Sequence, residues 1–161
     1  MKQPLDTELL IAAARRRARL ENFGDETFRE PLRRLLASCE SEARLNTIGK
    51  LALAEDILQL LINRLQIQRD SRIWPLIRDE AIVAPLFIIG LPRTGTTLLH
   101  GLLAQDYDTF CAPATWEVML PSPPPSFGQR GRIKRAERRL GCFHLLAPEF
   151  QKIHPVSADL P

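Results

Sequence analysis

Leu86-Phe87-Ile88-Ile89-Gly90-Leu91-Pro92-Arg93-Thr94-Gly95-Thr96-Thr97 is the stretch on which the fold of this 161-residue chain turns. Four consecutive large apolar residues, ended by a glycine, read as a short strand buried on both faces. Thr96 to Ala104 reads as a helix directly behind the loop, and Thr109 to Ala112 as a second extended stretch. Strand, loop, helix and strand in that order make a right-handed crossover unit, and such units imply a parallel sheet. The expectation is an α/β fold: a P-loop-like parallel sheet flanked by helices, preceded by a helical N-terminal region.

The loop itself carries the chemistry. Gly90 and Gly95 have the G-x-x-x-x-G spacing of a Walker A loop, but Thr96 stands where an NTPase carries its lysine. That lysine reaches the β- and γ-phosphates of a triphosphate, so its absence weakens a kinase or ATPase reading and leaves an anion cradle intact. Glycines let the backbone turn its N–H groups inward, and the helix start offers the positive end of its dipole. Thr94, Thr96 and Thr97 add hydroxyl donors. Arg93 sets a planar, permanently charged group inside the loop, where it can bridge a phosphate and a neighbouring leaving-group oxygen. Residues 90–97 are therefore expected to hold the 5′-phosphate of a nucleotide.

Working outward, residues 1–80 read as a helical region and residues 81–161 as the start of the nucleotide-binding domain. Asp6 is a candidate N-cap before Leu9, Leu10, Ala13 and Ala14, and Gly24 breaks the pattern. A second helix is expected from about Asp25 or Thr27, with Phe28, Leu32, Leu35, Leu36 and Cys39 on one face and Pro31 in its first turn. A third carries Ala54, Ile57, Leu58, Leu61, Ile62 and Leu65 at steps of three and four behind Asn46 or Thr47, an apolar stripe of the kind that faces a core. Trp74-Pro75 ends it. Downstream, Leu120 to Gly131 is proline-rich and cannot continue a helix or a central strand. Arg130, Arg132, Lys134, Arg135, Arg138 and Arg139 follow, offset by Glu137 alone, on an expected short helix ending at Gly141. They form either a solvated face or an anion-binding one.

Composition bounds the rest. The 22 basic and 19 acidic residues leave a net charge of +3, too small to argue for nucleic acid. Cys39, Cys111 and Cys142 are odd in number and widely spaced, which suits neither a disulfide framework nor a zinc site; no metal is expected, and a reducing cytoplasm is. No apolar run has the length of a signal peptide or of a membrane span.

Ile88 to Leu103, IIGLPRTGTTLLHGLL, resembles the 5′-phosphosulfate-binding loop of sulfotransferases that use 3′-phosphoadenosine 5′-phosphosulfate (PAPS), with its pattern P-[KR]-[ST]-G-T-T. The FREPLRRLL and EARLN segments within residues 28–46, and APATWEVMLPSPPP at 112–125, are similar to a bacterial branch of that family. The resemblance implies PAPS as co-substrate, bound by Pro92, Arg93, Thr94, Gly95, Thr96 and Thr97, and a hydroxyl or amine acceptor that variable loops select. It implies Arg93 as the stabiliser of leaving-group charge. It also implies Glu117 as first choice for the general base, because tyrosylprotein sulfotransferases place a glutamate soon after their second strand. His100 is a second candidate, either facing the active site or hydrogen-bonded in a packed interface, and His154 a more remote one. Glu117 could instead cap a helix or pair with an arginine. Family members are usually more than twice this long, with an Arg and Ser motif for the 3′-phosphate that does not occur before Pro161, so a truncated member or gene fragment is implied. The rival readings are a P-loop nucleotide kinase or NTPase, and a non-catalytic remnant acting through its helical region.

Overall fold

The computed structural model describes residues 5–91, 93–124, 128–149 and 156–158. The chain divides into two compact units, Met1–Asp79 and Glu80–Pro161.

The first unit is built from three helices, α1 (Thr7–Ala18), α2 (Arg29–Ser41) and α3 (Thr47–Ile73), followed by a 3-10 turn over Pro75–Arg78. Local chemistry starts two of them. The Asp6 carboxylate accepts from the Leu9 N–H at 2.8 Å, and the Asn46 side chain accepts from the Gly49 N–H at 2.8 Å. Each satisfies one of the amides that a helix start leaves without a partner. α2 begins later than the sequence suggested, because Asp25 and Thr27 are used in a turn in which the Asp25 carboxylate accepts from the Thr27 N–H at 3.1 Å.

The core of this unit joins Leu10, Ile11 and Ala14 of α1, Phe23, Leu36 of α2, and Ile57, Leu58, Leu61 and Leu65 of α3. Burying each large aliphatic side chain contributes about 1.5–3 kcal/mol. Arg64 ties the α1–α2 connection to α3, donating to the carbonyls of Phe23 at 2.8 Å and Asp25 at 2.9 Å while its guanidinium lies 4.7 Å from the Phe28 ring centre. Leu35, assigned to the apolar face of α2, is instead exposed, since it sits at the edge of the seam formed by Phe28, Leu32, Leu36 and Cys39.

The second unit contains α4 (Thr96–Leu103), α5 (Thr115–Met119) and α6 (Gln129–Leu146). Among the described residues there is no strand, so the expected parallel sheet is not seen. Leu86, Phe87 and Ile89 are 58%, 76% and 92% exposed, and no backbone hydrogen bond joins residues 86–89 to 109–112 among the described residues. A strand exists only by virtue of a ladder partner, whereas a helix closes its hydrogen bonds within its own segment. The second difference concerns α6, which continues through Gly141 to Leu146. One exposed mid-helix glycine costs only about 1 kcal/mol and cannot by itself end a helix.

α5 packs on α6 through Trp116 and Ala136, joined by Ala158, whose carbonyl accepts from the Trp116 N–H at 3.0 Å. Arg132, counted with the basic cluster from sequence, is buried. Its guanidinium lies 4.6 Å from the Trp116 ring centre and donates to the carbonyls of Leu120 at 3.0 Å, Pro123 and Pro124 at 3.3 Å. The proline-rich segment lacks the N–H groups that would pair those carbonyls locally, and one planar cation with several donors serves them together.

Candidate functional site

The loop between residue 90 and α4 is held by its own backbone geometry. Arg93 and Gly95 both take left-handed conformations, with φ of 65° and 85°. Thr94 Oγ1 donates to the Leu91 carbonyl at 2.7 Å and closes the loop on itself. A Cβ at Gly90 would lie 2.7 Å from Thr94 Oγ1 and 2.8 Å from Thr96 Cγ2, so only glycine lets the two threonines close over that position. A left-handed arginine is uncommon and costs about 1–3 kcal/mol, the kind of strain that clusters at ligand-binding loops.

The Leu99 N–H bonds the Gly95 carbonyl at 2.9 Å, which starts the α4 ladder, and no side chain caps this helix. The amides of Thr96, Thr97 and Leu98 therefore face outward from a helix start with no intrahelical acceptor, at the positive end of the dipole. Arg93, Thr94 and Thr97 are exposed, and Thr96 is half-buried. This donor set suits an anion: free first-turn amides, threonine hydroxyls and one guanidinium.

Thr96, Thr97 and His100 line an open depression of about 480 Å³ together with Leu86, Phe87 and Ile88. His100 also lines a second depression of about 430 Å³ that extends between residues 82–88 and 109–113. The structure thus brings His100 beside two loop threonines. Glu117 lies elsewhere in the unit, on α5, where its Oε2 accepts from the Ala114 N–H at 2.8 Å across the helix start. Alanine has no side-chain acceptor to return the bond, so this is one half of a capping box. Glu117 lines neither depression. Pro92 and His154 lie outside the described residues. Leu86 and Phe87, expected as strand core, are apolar walls of this depression, because the turn before α4 brings residues 86–88 beside Thr96 and Thr97.

Residues 85–159 match the model of a family described as the sulfotransferase family. No curated protein matches the chain. Among solved structures, the crystal structure of sulfotransferase STF1 from Mycobacterium tuberculosis H37Rv is similar over 100% of this chain, with a TM-score of 0.81 and 29% sequence identity. The chain spans 46% of the length of that structure. Residues 85–159, which include the glycine-bounded loop and α4, are thus similar to the sulfotransferase family, and the whole chain is similar in fold to one sulfotransferase of that kind.

Proposed function

We propose that the chain carries the donor-binding part of a sulfotransferase that moves a sulfuryl group from PAPS to a hydroxyl or amine acceptor. The observation that supports this best is the loop itself, with two left-handed residues, a closed Thr94–Leu91 turn and an uncapped helix start beside Arg93. In this reading Pro92, Arg93, Thr94, Gly95, Thr96 and Thr97 hold the 5′-phosphate, and residues 86–89 and 109–112 belong to a parallel sheet of the complete fold. A cytoplasmic setting is part of the same reading, in keeping with the free thiols of Cys39, Cys111 and Cys142.

Transfer forms a bond from the acceptor oxygen or nitrogen to sulfur as the bridging sulfur–oxygen bond breaks, and the electron pair goes to the 5′-phosphate oxygen. Charge grows on that oxygen, where Arg93 and the first-turn amides of α4 are preorganised to meet it. The acceptor proton must go to a base. Glu117 fills that role: its cap to Ala114 fixes the carboxylate through Oε2 and leaves Oε1 as an acceptor. His100, next to Thr96 and Thr97, is the second base in the reading.

Calorimetry of 3′,5′-adenosine bisphosphate and ATP with the wild type, Arg93→Ala, Arg93→Lys and Thr96→Lys tests the donor site. The wild type prefers the bisphosphate, and Arg93→Ala loses about 2 kcal/mol or more of its binding, in the range for hydrogen bonds to charged groups. Arg93→Lys recovers part, since lysine restores charge without the fork, and Thr96→Lys moves preference toward ATP. A wild type that prefers ATP, or an Arg93→Ala variant that binds the bisphosphate as tightly as wild type, removes the proposal.

A further inference from the structure

In the helical unit, Arg17, Arg29, Arg33 and Arg34 each place a guanidinium nitrogen within 3.0 Å of a carboxylate. α6 is charged differently. Arg132 turns inward onto Trp116, whereas Arg130, Lys134, Arg135 and Arg138 are exposed and, among the described residues, carry no ion pair. Glu137 is the one carboxylate on the helix. Arg130, Lys134 and Arg138 recur at steps of four and so form one line along its outer face. Leu145, seven residues past Arg138, continues that line, and it is 82% exposed beside Leu146 at 54%. We propose that this outer face docks on an anionic phospholipid bilayer, with the cations on lipid phosphates and the two leucines at the boundary between headgroups and acyl chains.

Three observations support a bilayer as the occupant. Covering four unpaired cations with an apolar protein surface would strip their water without return, so whatever meets this face brings anions. A soluble polyanion would satisfy the charge but offers nothing to Leu145 and Leu146, while an anionic bilayer meets both needs. The inner face of α6 is already engaged, with Ala136, Ile133 and Leu140 in one cluster with Trp116, so the helix is formed before it meets a surface and binding carries no cost of ordering it. Among the described residues no helix is long and apolar enough to cross a membrane, which makes this a contact along the surface. Nothing in it depends on the nucleotide loop, so nucleotide calorimetry and bilayer binding can succeed or fail separately.

Co-sedimentation of the 161-residue chain with vesicles tests it, comparing phosphatidylcholine alone with an equimolar mixture of phosphatidylcholine and phosphatidylglycerol. The chain is expected to bind the anionic vesicles and not the neutral ones at about 0.1 M salt, and to be released at about 1 M, where the screening length falls to about 3 Å. Combined Lys134→Gln and Arg138→Gln should weaken binding about fivefold for each cation removed. Glu137→Gln should strengthen it, a gain that a misfolded variant cannot imitate. Leu145→Gln should weaken binding to vesicles and leave binding to soluble polyphosphate unchanged. Circular dichroism of each variant checks that its helix content is that of wild type. Three outcomes overturn the proposal: neutral vesicles bound as tightly as anionic ones, the double variant binding as wild type does, which would put the contact elsewhere in the chain, or Leu145→Gln leaving vesicle binding intact, which would make a soluble polyanion the occupant.

Discussion

In the unit Met1–Asp79, Ile11, Phe23 and Leu65 are almost wholly removed from solvent, whereas in the unit Glu80–Pro161 the apolar residues Leu86, Phe87, Ile89 and Leu91 all lie in the open. Both units are rich in such side chains, so composition does not separate them. The difference lies in how each segment satisfies its backbone. A helix closes its hydrogen bonds within a few residues and needs only one partner face, which α1, α2 and α3 give one another. An apolar strand must find neighbours on both edges and cover on both faces. The helical unit therefore forms its core from contiguous sequence, while in the second unit the loop and α4 are in place and no backbone ladder joins residues 86–89 to 109–112 among the described residues.

The largest effect that would sharpen this contrast concerns chemistry confined to the second unit. In a chimera of this chain with the remainder of the mycobacterial sulfotransferase, Glu117→Gln is expected to lower turnover by about two to four orders of magnitude, the loss for a general base. Glutamine keeps an oxygen that accepts from the Ala114 N–H, so α5 and bisphosphate affinity stay as they were. Steady-state rates and calorimetry on one preparation separate the possibilities. Unchanged turnover makes Glu117 a cap alone and passes the proton to His100.

Next in size is the core itself. Leu65→Ala removes a side chain that is 1% exposed and should cost about 2–5 kcal/mol of stability in denaturant unfolding followed by helix signal. Phe87→Ala, at a side chain that is 76% exposed, should stay within about 0.5 kcal/mol in the same chain. Equal losses at the two positions would mean that residues 86–89 are buried in solution and would break the contrast between the units.

How much of this was legible beforehand follows the same division. Asp6 and Asn46 were readable as caps because a cap is decided within three residues, and the Ile57, Leu58, Leu61 and Leu65 stripe because its period is a property of one helix. The glycine spacing of the loop was readable for the same local reason, and Gly90 has the crowding that spacing implies. Arg132 was not: nothing in a run of six cations marks the one that turns inward onto Trp116 and three carbonyls, since that depends on a proline-rich segment packing back over α6. Nor was the end of α6, where surrounding structure outweighs a single glycine. The strand reading of 86–89 rested on hydrophobicity, which marks a segment that wants cover and says nothing of what supplies it.

The smallest expected effect tests whether the helical unit depends on local charge as well as on its core. In the second position of α2, the Glu30 carboxylate accepts from Arg33 Nε and Nη2 at 2.8 and 2.9 Å and from Arg34 Nε at 2.8 Å. The bonds from Arg33, then Arg34, lower its pKa from an ordinary 4.5 to about 2. A carboxyl whose pKa is depressed by folding contributes stability that is fully present above its unfolded value and is lost as pH falls through its folded value. The window here runs from about pH 4.5 down to about 2. All three groups are solvent-exposed, so the contribution is small and screened by salt. Melting temperatures between pH 5 and pH 2 at low ionic strength should therefore fall less steeply for Glu30→Gln than for wild type, and the two slopes should converge in about 1 M salt, where the screening length is about 3 Å. Asp25 and Glu26 add slope in the same direction, the first lowered mainly by the Thr27 hydroxyl and the second by Arg29, so the variant flattens the curve without levelling it. Identical acid slopes for wild type and Glu30→Gln at low salt would mean that the arginine clasp on Glu30 adds nothing to the helical unit, leaving its stability to the buried stripe alone.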